Sequence, residues 1–360
     1  MTTSYIHVLA LTRYGSLGAS SRIRFFQYFP YLQGQGIHLA SSELVDNALL
    51  KSRYLHAKYG YGELFTAYVK RIWILLSKSH VGTLWIEKEA LPWFPLWLEL
   101  LLLRRRPYIL DFDDAIFHNY DLHPNRIVRS LYGRRIDGLM KHAALVVAGN
   151  NYLAQRARDA GAKRVEVLPT VIDLQRYTRQ RPPQSIDTPL RIVWIGSPST
   201  VSYLNLLAKP LQSLAKRHRF VLRAIGGTPE PMPGVEMELV NWAEETEVAR
   251  IGECAIGIMP LLDSPWEQGK CGYKLIQYMA CELPVVASPV GVNCEIVDHA
   301  EDGYLAKDDD EWVSALSILL NDEDLRKSMG RKGRLKVEQT YCIQQTSAKL
   351  AGWLQQPGEN

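Results

Sequence analysis

The sequence predicts an α/β protein made of two Rossmann-like, doubly wound domains, and three observations predict it. Short β-rich apolar segments alternate with longer helical stretches along the whole chain, the signature of βαβ units and parallel sheets. At 360 residues the chain exceeds one ordinary core and suits two domains of about 150 to 200 residues each. Between them, Arg181, Pro182, Pro183 and Pro189 break any regular element, as an interdomain linker does. The expected division is residues 1–180, a linker at 181–189, a second domain at 190–340, and a C-terminal helix at 341–360 that returns toward the first domain.

In the first half the predicted strands are 6–11, 38–40, 83–86, 108–111, 145–148 and 165–168, with helical segments between them. In the second half they are 191–195, 220–225, 235–238, 255–259 and 284–287. Ligands of doubly wound sheets bind at the carboxyl ends of strands, which directs attention to the loops after residues 11, 86, 111, 195 and 259. No internal repeat or low-complexity tract is present.

Composition is that of a water-soluble globular chain, 47% hydrophobic and 22% charged. Thr2, Thr3 and Ser4 lead directly into the first strand, so no signal peptide is read there and a cytoplasmic location is expected. The longest apolar run, Leu96–Leu103, is interrupted by Glu99 and falls far short of the roughly 20 residues that span a bilayer. Five cysteines without paired metal spacing read as free thiols. The net charge of +4 conceals an asymmetry: residues 1–180 carry roughly +10 and the remainder roughly −6. The first half therefore prefers an anionic neighbour: a phosphorylated acceptor, nucleic acid, or an anionic membrane surface at the inner face of the membrane; a solvated basic face is the alternative. The stretch 68–76, with Trp93, Phe94 and Trp97, is read as core or as contact with such an interface, and Arg104 to Arg106 as lipid ligands or ordinary helix-end bases.

Residues 267–298 read EQGKCGYKLIQYMACELPVVASPVGVNCEIVD. A glycine turn at Gly272–Tyr273 opens a helix ending near Cys281; a buried strand and a second glycine turn at Gly291 follow. A helix start presents unpaired N–H groups and the positive end of the helix dipole. A diphosphate seated there gains the ammonium groups of Lys270, in the preceding loop, and Lys274, in the first turn. Two surface lysines on an ordinary helix are the alternative. Apolar Ile276, Met279 and Ala280 recur at core spacing, which assigns Lys274 and Gln277 to another face.

Elsewhere, the loop Gly196-Ser197-Pro198-Ser199-Thr200 combines close backbone approach with hydroxyl donors. After the first strand, Gly18 gives access, Ser20 or Ser21 caps a helix, and Arg22 adds positive charge, or is simply exposed. Asp111-Phe112-Asp113-Asp114 crowds carboxylates at a strand end, where they need partners. Ligand contact by Asp113, bracing by Asp114 and metal binding are the readings of that cluster. Glu87 and Glu89 follow the predicted strand 83–86 and face the same crevice, the Trp242 ring can stack on a heterocycle or sit in the core, and Glu295 is also good first-turn helix chemistry.

The succession of glycine loop, helix, Met279-Ala280-Cys281, then LPVVAS at 283–288, PVGV at 289–292 and Glu295-Ile296-Val297 resembles the donor-binding half of glycosyltransferase family 4. The resemblance extends over the second half, through the turn Asp302-Gly303-Tyr304-Leu305 and the pair Met329-Gly330, and more faintly over the first. It implies the GT-B fold, two Rossmann-like domains facing across a cleft, and retaining transfer from a nucleotide-diphosphate sugar. It also implies that the loop at Gly18 and Arg22 lies beneath the donor phosphates. Relatives carry two glutamates seven residues apart around the glycine loop; Gly269 and Gln277 stand in their places here. Gln277 then meets the ribose through its amide, and Glu267 either replaces the missing carboxylate or is solvated. The Gly196 loop lacks the family's basic pair, so Lys270 and Lys274 take over anion neutralisation. Asp113 falls where relatives place a histidine near the donor sugar.

The expected activity is retaining glycosyl transfer, with Lys274, Lys270 and Asp113 as catalytic residues. Gly18, Arg22, Gly196, Ser197, Trp242, Gly272, Tyr273, Gln277, Gly291 and Glu295 are expected at the donor, and Glu87, Glu89 and Asp114 on the acceptor side. Neither metal nor cofactor is expected; a UDP- or GDP-linked sugar is substrate, and the acceptor is a glycan or lipid-linked intermediate of surface polysaccharide synthesis. Among partners, nucleic acid is set aside. A nucleotide-sugar epimerase of the same fold and a non-catalytic sugar-nucleotide-binding protein are the alternatives. A dehydrogenase is disfavoured because the spaced GxGxxG fingerprint with its downstream acid is missing.

Overall fold

The computed structural model describes residues 6–56, 58–77, 82–104, 106–178 and 188–357. They form two compact units, each with a six-stranded sheet whose neighbouring strands are all parallel. The first unit takes in the chain up to Thr170, the loop Gly269–Cys271 and the chain from Gln344; the second takes in Val171–Gln268 and Gly272–Ile343. Of the expected linker, residues 181–187 lie outside the described residues.

In the first unit the strands are β1 (Ile6–Tyr14), β2 (Ile37–Val45), β3 (Thr83–Glu87), β4 (Tyr108–Phe112), β5 (Leu145–Ala148) and β6 (Val165–Val167), in the order β2-β1-β3-β4-β5-β6. The second contains β7 (Leu190–Ile195), β8 (Phe220–Ile225), β9 (Glu236–Val240), β10 (Ile256–Met259), β11 (Val285–Ala287) and β12 (Gly303–Leu305), in the order β12-β11-β10-β7-β8-β9. Central strands β3, β4, β5, β8, β10 and β11 are buried along their whole length, because helices cover both sheet faces. Their sequences are accordingly near-continuous apolar runs.

The edges depart from expectation. Strand β2 runs nine residues rather than 38–40: Ser41, Ser42 and Glu43 hide it, yet it pairs with β1 from Ile6↔Ile37 to Tyr14↔Val45. The Asp302–Leu305 stretch, read as a turn, contributes edge strand β12, paired with β11 at Val286↔Tyr304.

Strand order reverses between β1 and β3 in the first unit and between β7 and β10 in the second. Such reversals open crevices at the carboxyl ends of strands. The loops after Tyr14 and Glu87, and those after Ile195 and Met259, are thus the favoured ligand positions.

Buried arginines knit the first unit. Arg24 donates to Asp111 Oδ1 at 2.8 Å and to Leu168 O at 2.8 Å. Arg71 donates to Thr12 O at 2.7 Å and Ser42 O at 2.9 Å, tying β1 to β2. Arg71, Ile74 and Leu75 therefore belong to the core of the 68–76 stretch, and Arg106 is buried as well.

Candidate functional site

In the second unit, Trp194 organises the crevice. It is fully buried near the end of β7, and the Lys274 ammonium stands 4.5 Å from its ring centroid, a cation–π contact. The same ring lies under the Gly196 turn, where a side-chain Cβ would meet it at 2.5 Å. Lys274 is thereby brought to the loop after β7, whose Ser197 and Ser199 hydroxyls are exposed and 2.8 Å apart. Sequence reasoning missed Trp194; the signal is a tryptophan two residues ahead of a strand-end glycine.

The helix behind Lys274 spans Tyr273–Ala280, starting from Gly272 with φ 63°. A Cβ at Gly272 would lie 2.3 Å from Ile296 Cδ1, so only glycine lets the turn close against the Asn293–Ile296 helix. From Leu275 onward every residue of the Tyr273 helix is buried. That corrects the assignment of Gln277 to a face apart from the core: Gln277 is 2% exposed and donates to Tyr177 Oη at 2.8 Å. Tyr177 in turn donates to Glu247 Oε1 at 3.2 Å, and Trp242 Nε1 donates to Glu247 Oε2 at 2.6 Å. Gln277 and Trp242 thus share one polar chain through a buried carboxylate, which fixes the Trp242 ring.

Glu267 is not solvated. It is buried, and both its oxygens are engaged, one by the Tyr203 hydroxyl and the other by Ser264. Gly291 has φ 53° and packs on the Gln268 backbone, while Glu295 is exposed on the short helix that follows. Asn293 was not anticipated. Its Nδ2 donates to Ser288 O at 3.0 Å, and its fully buried Oδ1 has no hydrogen-bond partner among the described residues. That oxygen lies 3.7 Å from where a Gly272 Cβ would be.

In the first unit the crevice is organised by Lys88, which follows β3. Its ammonium lies 2.7 Å from Asp113 Oδ1, 3.6 Å from Asp114 Oδ2 and 3.3 Å from Ser20 Oγ. Burial opposes its charge, but Asp113, Asp114 and Glu87 outweigh burial and hold it above the ordinary lysine range. Burial likewise pushes Asp113 up, and Lys88, with help from Ser20 and Arg24, more than compensates, leaving it below the usual value of 3.8. Asp114, raised by burial and then by Asp113 beside it, ends above that value despite Lys88. Lys270, in the loop that belongs to this unit, is 3.9 Å from Asp114 Oδ1, and its carbonyl accepts from Asn150 Nδ2 at 2.9 Å.

Gly18 starts the helix Ala19–Arg24, and Arg22 folds back onto Ser16 O at 3.1 Å. Neither Ser20 nor Ser21 caps that helix. Ser21 donates instead to Glu87 Oε2 at 2.6 Å, which also takes Arg13 N at 2.8 Å. Glu87 is therefore internal, and so is Glu89, held by Arg135 and by Tyr120 Oη at 2.8 Å. Their placement on an acceptor wall is corrected: both side chains are buried and bonded to partners remote in sequence, which residue order does not disclose.

A family model described as "Glycosyl transferases group 1" matches residues 189–322. A curated relative, the N-acetyl-alpha-D-glucosaminyl L-malate synthase of Bacillus anthracis, is 34% identical over 77 residues, 21% of this chain and 20% of the relative. The matched chain thus spans about a fifth of that relative's length. Among solved structures, Anabaena Alr3699/HepE in complex with UDP and glucose aligns with a TM-score of 0.72 at 14% identity, covering 98% of this chain and all of that one. Sucrose-phosphate synthase from Thermosynechococcus elongatus aligns with a TM-score of 0.73 at 15% identity, covering 97% and 98%. At these identities the likeness establishes the fold: two parallel α/β sheets of the GT-B class, as the sequence predicts.

Proposed function

We propose that this chain is a retaining glycosyltransferase that moves a sugar from a nucleotide-diphosphate donor to an acceptor hydroxyl. One observation carries the reading: Lys274, in the first turn of a helix opened by a left-handed glycine, is held over the Trp194 ring at the crevice where strand order reverses. The group 1 family match across the same unit supports it.

As the glycosidic bond breaks, negative charge grows on the leaving diphosphate. The helix start and the Lys274 ammonium meet that charge, so they bind the transition state better than the ground state. Trp194 fixes the ammonium beforehand, which removes reorganisation from the reacting step. The hydroxyls of Ser197 and Ser199 donate to phosphate or sugar. In front-face attack the leaving phosphate oxygen accepts the acceptor's proton, and no protein nucleophile is required. The donor is UDP- or GDP-linked, with no metal or other cofactor, and the acceptor is a glycan or lipid-linked intermediate of surface polysaccharide synthesis.

A thermal-shift screen of UDP-, GDP-, ADP- and dTDP-sugars identifies the base, since a ligand of the native state alone raises the melting temperature. Lys274→Ala is expected to lower turnover more than tenfold, about 1.4 kcal/mol of transition-state stabilisation, with the fold intact. Near-normal turnover in that variant would overturn the placement of the leaving diphosphate at Lys274. Interconversion of the sugar nucleotide without any acceptor would favour the epimerase instead.

A further inference from the structure

The helix Tyr61–Ser77 is apolar on the side it turns away from its own core. Arg71, Ile74 and Leu75 are buried, whereas Tyr61, Phe65, Val69, Trp73 and Leu76 are between 49% and 91% exposed. At 100° per residue those five positions fall within an arc of about 120°. Tyr68, on the flank of that arc, stacks on Phe94 with ring centroids 5.4 Å apart and donates to Pro92 O at 2.9 Å. This brings the helix Leu96–Leu103 alongside, and there Trp97 and Leu101, four residues apart, are exposed as well. Single exposed apolar residues are ordinary; a whole helical face with neighbouring aromatics marks a surface that meets something apolar.

Charge identifies the occupant. On the flanks of this face Lys70 and Arg104 are exposed, and Lys70 shares a groove with Glu43, Asp46 and Glu63. Trp97 and Leu101 also line a groove of about 610 Å³ whose other walls include Arg104, His142 and Lys163. A second copy docking the same face would set these cations against each other, which like-charge repulsion disfavours. A surface with apolar depth and anionic headgroups satisfies both parts.

We infer that this face of the first unit lies on an anionic phospholipid bilayer. Phe65, Trp73 and Trp97 enter the boundary between headgroups and acyl chains, while Lys70, Arg104 and Lys163 meet lipid phosphates. The contact is superficial: among the described residues no helix is long and apolar enough to cross a membrane. The inference goes beyond the proposed glycosyl transfer and does not depend on it.

The test is co-sedimentation of the full chain with phosphatidylcholine vesicles and with vesicles containing phosphatidylglycerol. Wild-type protein is expected to sediment with the anionic vesicles and to leave them in 0.5 M salt, on the order of the screening that weakens interfacial ion pairing. The triple variant Phe65→Ser/Trp73→Ser/Trp97→Ser should lose at least about tenfold in vesicle affinity, and Lys70→Glu/Arg104→Glu should lose the preference for anionic lipid. These side chains are exposed, and an unchanged melting temperature confirms folding of each variant. The inference fails if wild type stays in solution with both vesicle types, if the triple variant binds as wild type does, or if light scattering shows a dimer that the triple variant dissolves. Loss of nucleotide binding by wild type would count against the proposed function and leave the vesicle result standing.

Discussion

Lys88 adopts a backbone conformation that lysine seldom takes, with φ 65°. Strain of this kind costs about 1 kcal/mol or more and persists only where the surroundings hold it. Here Lys88 N donates to Asp111 O at 2.9 Å and Glu89 N to Glu87 O at 2.7 Å. The bend aims the ammonium at Ser20, Asp113 and Asp114. Removing it by Lys88→Met strands a buried carboxylate, and a loss of about 3–5 kcal/mol is expected in urea unfolding. Adding Asp113→Asn to that variant should restore part of it, because the stranded charge is then gone. A single-variant loss below about 1 kcal/mol would mean that the pair does not hold the loop. The linkage sign follows from the lowered Asp113 pKa: its contribution is present above the ordinary value of 3.8 and disappears as pH falls through the folded value.

Among the elements, the Tyr273–Ala280 helix is fixed at both ends by glycines. At its start, Gly272→Ala must hold φ 63° and displace Ile296, for a cost of about 1–2 kcal/mol from the backbone alone. Beyond its end, Gly330 of the helix Glu323–Thr340 packs on Glu282: an added Cβ would sit 1.9 Å from the Glu282 carbonyl oxygen. Gly330→Ala is expected to cost about 1–3 kcal/mol by overpacking. The two variants separate in function. Gly272→Ala should also weaken nucleotide binding in the thermal-shift screen, whereas Gly330→Ala should lower stability with nucleotide affinity retained. Equal affinity losses would place the donor away from the Gly272 turn. The strand pattern explains what the sequence disclosed of these elements. Strands β4, β5, β8 and β10 are buried on both faces, so hydrophobicity alone marks them. Strands β2 and β12 sit at sheet edges with exposed or half-exposed positions, and the apolar signal that defines a strand is diluted there.

Across the whole molecule, legibility follows sequence distance. Lys274 and Gly272 are two residues apart, and their joint meaning is written in a short segment. Glu89 and Glu99 are not legible in that way, because their common partner Arg135 lies 46 and 36 residues away. A carboxylate looks the same in sequence whether it faces water or an arginine in the core. The consequence is measurable for Glu99, which is fully buried, faces Arg135, with Glu89 beside it, and accepts from Ala90 N at 2.7 Å and Leu91 N at 3.2 Å. Burial pushes its carboxyl up to about 7, even with Arg135 pulling the other way. Between the ordinary value of 4.5 and about 7, the native chain holds a proton there that the unfolded chain has released. Stability from this group therefore rises as pH falls through that window, with a slope of at most about 1.4 kcal/mol per pH unit. Glu99→Gln removes the titration while keeping one acceptor for the two amides. The urea midpoint of wild type, taken relative to Glu99→Gln, should then climb from pH 7.5 to pH 5.5. A constant difference over that range would mean that Arg135 keeps Glu99 ionised throughout.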